Sequence, residues 1–93
     1  MMEFQSFKVQ CIKVTEYTNG RNAILLIDED GDELCVGSVN IPDADIAPDE
    51  VAIKDYSENE GMLSFLMENA IVSAPVRQEQ SGYVTIPICK LIA

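Results

Sequence analysis

Ninety-three residues suffice for one domain and not for two, which excludes a deep catalytic cleft between subdomains. A hydrophobic fraction of 47% with 24% charged residues fits a globular chain rather than a disordered one, and no apolar run nears the ~20 residues of a membrane helix. Sixteen acids against six bases set the net charge at −10, which disfavours direct binding to the phosphates of nucleic acid.

Phe4 to Thr18 reads as one long strand. Phe7, Val9 and Cys11 share one face, then Ile12 and Val14 the other, so a bulge is expected near residues 11–12. Asn19-Gly20 predicts a two-residue type I′ hairpin turn, because both residues tolerate positive φ. Ala23 to Ile27 is apolar on both faces, as a covered central strand is. Asp30-Gly31 predicts a second hairpin, and Glu33 to Ile41 the third strand of a meander. Pro42 to Glu50 reads as a loop and Val51 to Lys54 as a short strand. Ser57 and Glu60 have the spacing of a capping box, predicting a helix from Ser57 to about Asn69 whose apolar stripe includes Met62, Phe65, Leu66 and Ala70. Ile71 to Arg77 alternates as a strand, Gln78 to Gly82 as a turn, and Tyr83 to Ile92 as the last strand. Pro75 and Pro87 each remove a ladder donor, which predicts edge or bulge positions. The expected fold is α+β: residues 1–93 as one small domain, a single curled antiparallel sheet of about six strands with one covering helix, β-β-β-β-α-β-β.

The start Met1-Met2-Glu3-Phe4-Gln5 has neither a basic segment nor an apolar one, unlike a secretory leader. Cys11, Cys35 and Cys89 are odd in number, distant in sequence and flanked by apolar residues. That pattern predicts small buried hydrophobes in a reducing, cytoplasmic setting rather than a disulfide framework.

No recognisable catalytic constellation is present. The chain has no histidine, which excludes Ser-His and Cys-His nucleophiles. It has no paired CxxC for zinc, no P-loop and no GxGxxG. The expectation is a non-enzyme with no catalytic residue, no cofactor and no metal site. Asp28-Glu29-Asp30-Gly31-Asp32-Glu33 resembles the start of a calcium loop. Counted from Asp28, however, glycine falls at position 4 and Val39 at position 12, where an EF-hand needs glycine at 6 and glutamate at 12. The segment is better read as a hairpin turn, with weak divalent-cation binding as a minor alternative.

Charge is the informative feature. Residues 28–60 hold twelve acids and one base, Lys54, while the rest of the chain holds four acids and five bases. One reading is solubility, with acids placed in turns and at a helix start where each has a local reason. The other is a dedicated acidic surface, because so many like charges repel and cost stability. The candidate partner-binding residues are Asp28, Asp30, Asp32, Glu33, Asp43, Asp45, Asp49, Glu50, Asp55, Tyr56, Glu58 and Glu60. Tyr56 would be either a staple of the helix start or an aromatic anchor within the acidic rim. Such a surface resembles a phosphate backbone and would steer toward a Lys/Arg-rich protein in a salt-dependent way. The expected partner is thus a protein; neither nucleic acid nor a membrane is expected to bind directly, and no oligomeric state is indicated.

Val51-Ala52-Ile53-Lys54-Asp55-Tyr56-Ser57-Glu58-Asn59-Glu60-Gly61-Met62-Leu63 resembles the central motif of a family of short acidic bacterial proteins of unknown function carried on plasmids, conjugative elements and phages. Asn22 to Leu26, Val39-Asn40-Ile41-Pro42 and Gly82 to Ile88 are similar in the same order, so the resemblance spans nearly the whole chain. It implies a mobile-element setting in a bacterial host cell and no established activity. Small acidic proteins of such elements include counter-defence factors, which suggests an anti-CRISPR or anti-restriction inhibitor. The alternative is an accessory protein of element maintenance or transfer that binds through an apolar or sheet-edge surface.

Overall fold

The computed structural model describes residues 2–92. Strands dominate, with one short α-helix, and three small antiparallel sheets take the place of the single six-stranded sheet that the pattern predicts. The strands are β1 (Met2–Phe4), β2 (Phe7–Val9), β3 (Cys11–Glu16), β4 (Asn22–Ile27), β5 (Glu33–Val36), β6 (Glu50–Ala52), β7 (Arg77–Ser81) and β8 (Val84–Lys90), with α1 (Met62–Glu68) between β6 and β7. β1 pairs with β2, β3-β4-β5 form a meander, and β8 runs between β6 and β7. The two three-stranded sheets meet at one antiparallel bridge, Ser38 to Ile53, flanked by Val39 N–H to Ala52 O at 3.0 Å and Lys54 N–H to Gly37 O at 3.0 Å.

The expected long first strand is divided. Phe4 pairs with Phe7 across a two-residue turn in which Gln5 and Ser6 both have positive φ, 53° and 72°. This is the type I′ pattern, built without Asn or Gly and therefore unmarked in the sequence. The switch of face near residue 11 is the step from β2 to β3 across Gln10, not a bulge. Gln10 N–H already donates to Ile27 O at 2.7 Å, starting the β3–β4 ladder.

The two predicted hairpin turns of the meander exist but are three-residue loops. Tyr17 N–H donates to Arg21 O at 2.8 Å, and Gly20 N–H donates to Tyr17 O at 2.9 Å. Asp28 and Asp32 repeat the arrangement around Gly31, with distances of 2.9 and 3.1 Å. Gly20 and Gly31 lie at φ 84° and 85°, so each glycine takes the left-handed position that follows the turn. Gly82, at φ 60°, opens the two-residue β7–β8 turn.

The helix starts later than its capping box predicts. Ser57–Asn59 form a single 3-10 turn, no side chain caps it, and Gly61 at φ 95° separates it from α1. Asp55 supplies the cap instead: its Oδ1 accepts the Leu63 N–H at 2.9 Å. At the other end Ala70 lies beyond the helix at φ 58°. Ala70 N–H reaches Met67 O at 3.1 Å and Ile71 N–H reaches Leu66 O at 2.9 Å, the paired bonds of a Schellman cap. Alanine is poorly suited to that left-handed position, so Ala70→Gly should stabilise the fold by about 0.5–1 kcal/mol in chemical denaturation.

Val72 makes only an isolated bridge to Leu91, and the strand lies at 77–81, where a turn is expected. Pro87 also departs from expectation, because it sits in the central strand β8. Its carbonyl accepts Ile53 N–H at 3.0 Å, just past the end of β6, where Ile53 turns toward Ser38. The missing donor therefore falls where the β6 ladder stops.

One core cluster joins Ile24, Leu26, Val51, Ile53, Met62, Leu66 and Cys89. Gly37 lets the Met62 sulfur approach, since a Cβ there would lie 3.0 Å from Sδ. Phe4 packs edge-on against Phe65 at 5.4 Å, fastening the N-terminal hairpin to α1. A second cluster, Ala52, Ile86 and Ile88, is covered by Val39, Ile41, Ile46, Tyr56 and Val84. Both sides of the β8 sheet are thus packed, the second in part by the acidic loop's own apolar residues.

Of the three cysteines, Cys89 is buried, Cys35 is half-buried and Cys11 is exposed on edge strand β3, contrary to the expectation that all three are core. Burial pushes the Cys89 thiol up to about 11, so it should resist alkylation while Cys11 reacts.

Candidate functional site

The twelve acids of residues 28–60 divide into those that hold the fold and those that face solvent. Glu50 belongs to the first group. It is buried at 6% exposure, and both its carboxylate oxygens accept Arg77 Nη1 at 2.8 Å. Oε1 also accepts Ala47 N–H at 2.9 Å. The Arg77 and Ala47 bonds hold the Glu50 carboxyl below its ordinary range. A depressed folded pKa gives stability that is fully present above the ordinary carboxylate pKa and is lost as pH falls through the folded one. Glu50→Gln should therefore lower the melting temperature at pH 7 and flatten its decline below pH ~4.3, the unfolded value. As a candidate contact residue Glu50 is withdrawn, because its charge is already spent.

Asp28 is also engaged: its Oδ1 accepts Asp30 N–H at 2.9 Å and Asp32 N–H at 3.0 Å, shaping the turn. Asp55 caps α1. Asp49 pairs with Lys90 at 2.9 Å and Glu58 with Lys54, and each pairing lowers the carboxyl's pKa. Both pairs are exposed and add little to stability. Tyr56 is half-buried against the second core cluster, with Lys54 Nζ 5.8 Å from its ring centre. It packs on the sheet rather than stapling the helix.

Glu29, Asp30, Asp32, Glu33, Asp43, Asp45 and Glu60 make no ion pair among the described residues, and all are exposed. They do not form one row. Asn22, at the start of β4, donates through Nδ2 to Pro48 O at 2.8 Å and Glu50 O at 2.9 Å, placing the acidic loop there. The Asp28–Glu33 turn follows the far end of the same strand, about 17 Å away for six residues at strand rise. The helix entry lies by the second patch: Asn59 Nδ2 donates to Val36 O at 2.7 Å, and the charges of Glu33 and Glu58 help raise the Cys35 thiol, after burial.

The loop is held by residues that the sequence pattern does not single out. Arg21 donates from Nη1 to Ile41 O at 3.1 Å and from Nη2 to Ala44 O at 2.6 Å. Arg77 Nη2 donates to Asp45 O. Two of the six bases therefore clamp backbone carbonyls of the loop, leaving the Asp43 and Asp45 carboxylates unpaired. Nothing in the local sequence marks Arg21 for this role, because its partners lie twenty or more residues away. Arg21→Ala should loosen the loop, read as faster amide exchange from Ile41 to Asp49 with slower change in β4.

The Asp28, Asp30 and Asp32 oxygens lie within 4.8 Å of one another. One of the Asp28 oxygens is already committed to two backbone N–H groups, and the other two side chains are exposed. Among the described residues no helix is long and apolar enough to cross a membrane.

No protein-family model matches the chain, and neither a curated protein nor a solved structure does.

Proposed function

We propose that this protein acts by stoichiometric binding, presenting a rigid acidic surface to a basic protein. The observation that carries the reading is the use of scarce bases: Arg21 and Arg77 fix the backbone of the acidic loop and leave its outward carboxylates unneutralised. Solubility alone does not require an acidic loop to be held in one conformation. A preorganised loop pays little ordering entropy on binding, and its field speeds encounter with Lys/Arg-rich surfaces.

The partner class is a basic nucleic-acid-binding protein, and the setting is the cytoplasm of a bacterial host invaded by a mobile element, as the motif resemblance suggests. Within that setting the activity is inhibition of a defence protein, of the anti-CRISPR or anti-restriction kind. The separation of the acids into two patches argues for contact at two places rather than imitation of a continuous phosphate row. The test is salt: an electrostatic complex weakens steeply as salt rises, whereas an apolar one changes little.

A second reading, an accessory protein that binds through sheet edge or apolar surface, is favoured by exposed edge strand β3 and by Phe7, which is 56% exposed. A salt-insensitive partner would select it.

A further inference from the structure

The β1–β2 hairpin is seated in the core by Phe4 and the fully buried Val9. Phe4 packs against Phe65, and Gln5 Nε2 donates to Glu58 O at 2.8 Å and Glu60 O at 3.0 Å, tying the turn to the helix entry. Beside this contact a cleft of about 190 Å³ opens between the hairpin, β5 and the helix entry, lined by Phe4, Gln5, Phe7, Leu34, Cys35 and the Glu58–Asn59 turn. An apolar cavity of ~150 Å³ accepts a benzene ring, so the cleft has room for one aromatic or branched aliphatic side chain. A half-exposed Phe7 beside it is an anchor that water solvates poorly.

The surroundings select the charge of the visitor. Leu34 directly follows the Asp28–Glu33 turn, which carries five acids. Glu33 and Glu60 have no basic partner among the described residues. Against the acids of this region stand Lys54, engaged by Glu58, and Lys8, which makes no ion pair among the described residues and has Glu3 opposite it in the strand register. The field at the mouth is therefore negative.

Resting on the reading that the chain binds a basic protein, we propose that this groove is a docking site for one large apolar side chain of a partner segment in which that side chain is flanked by Lys or Arg. The apolar contact would supply residence time and the acids orientation.

The test uses the full chain and three fluorescein-labelled peptides: Lys-Lys-Gly-Phe-Gly-Lys-Lys, its Phe-to-Ala version, and its Lys-to-Glu version. Anisotropy at low salt should show the first binding at least about tenfold more tightly than the second, and the third not at all. Amide shifts should centre on Phe7, Leu34 and Cys35. Phe7→Ser should remove the preference for Phe while the variant still unfolds in one cooperative transition, its melting temperature lowered by the part of the ring that is buried. Glu33→Gln combined with Glu60→Gln should weaken the first peptide while preserving its preference over the second. Equal binding of the Phe and Ala peptides, with shifts confined to the acidic turn or to residues 43–49, would overturn the groove and leave the acidic-surface reading standing. Failure of all three peptides to bind would also overturn the groove; the acidic surface is judged separately, by capture of a partner that is lost when Asp30, Asp32, Glu33, Asp43 and Asp45 are neutralised together.

Discussion

Leu26→Ala is expected to destabilise the fold by about 3 kcal/mol, which for a chain of this size lowers Tm by more than about 10 °C. Leu26 is fully buried in the central strand of the meander, paired with Ile12 on one side and Cys35 on the other. Its side chain belongs to the cluster that joins the meander to α1 and β6. Neighbours in β4 are fixed by ladders on both sides, so they cannot relax into the space, and the cavity cost adds to the lost burial. Urea unfolding should shift in midpoint with an unchanged slope. Tyr83→Ala, at the wholly exposed tip of the β7–β8 turn, should stay within about 0.5 kcal/mol of wild type.

The second large effect concerns binding. Neutralising Asp30, Asp32, Glu33, Asp43 and Asp45 together to Asn or Gln should weaken the partner complex at least about tenfold at low salt and flatten its salt dependence. None of the five side chains accepts a hydrogen bond or makes an ion pair among the described residues, and all are exposed. The variant should therefore melt no lower than wild type, and relief of repulsion should raise it slightly. Glu50, Asp28 and Asp55 must stay, because their loss would remove a buried pair, a turn and a cap. A weakened complex in a well-folded variant thus reports on the surface alone.

How much of this was readable in the chain depends on the range of each interaction. The apolar run Ala23–Ile27 and the glycines after Asn19 and Asp30 are local signals, and the meander lies where they place it. The helix stripe is local too, but its start is set by Gly61 and by Asp55, eight residues ahead of the amide that it caps. The hairpin turn at Gln5-Ser6 has no marker residue, since tertiary contacts from Gln5 and Phe4 compensate for its unfavourable backbone. β7 is an edge strand of Arg, Gln, Glu, Gln and Ser with no buried face, so it has no apolar alternation to betray it. The acidic middle was plain from composition. Its division into structural and free carboxylates was not, because Arg77, Arg21 and Lys90 reach their partners across twenty to forty-one residues.

The most direct test of the acidic-surface account is capture from bacterial lysate at low salt. Wild type and the five-site neutral variant would run side by side, with elution by a salt gradient and identification by mass spectrometry. The account predicts a basic nucleic-acid-binding protein that elutes from wild type as salt rises and is absent from the variant. A partner held equally by both proteins and resistant to salt would contradict it and assign the interface to the apolar or sheet-edge surface.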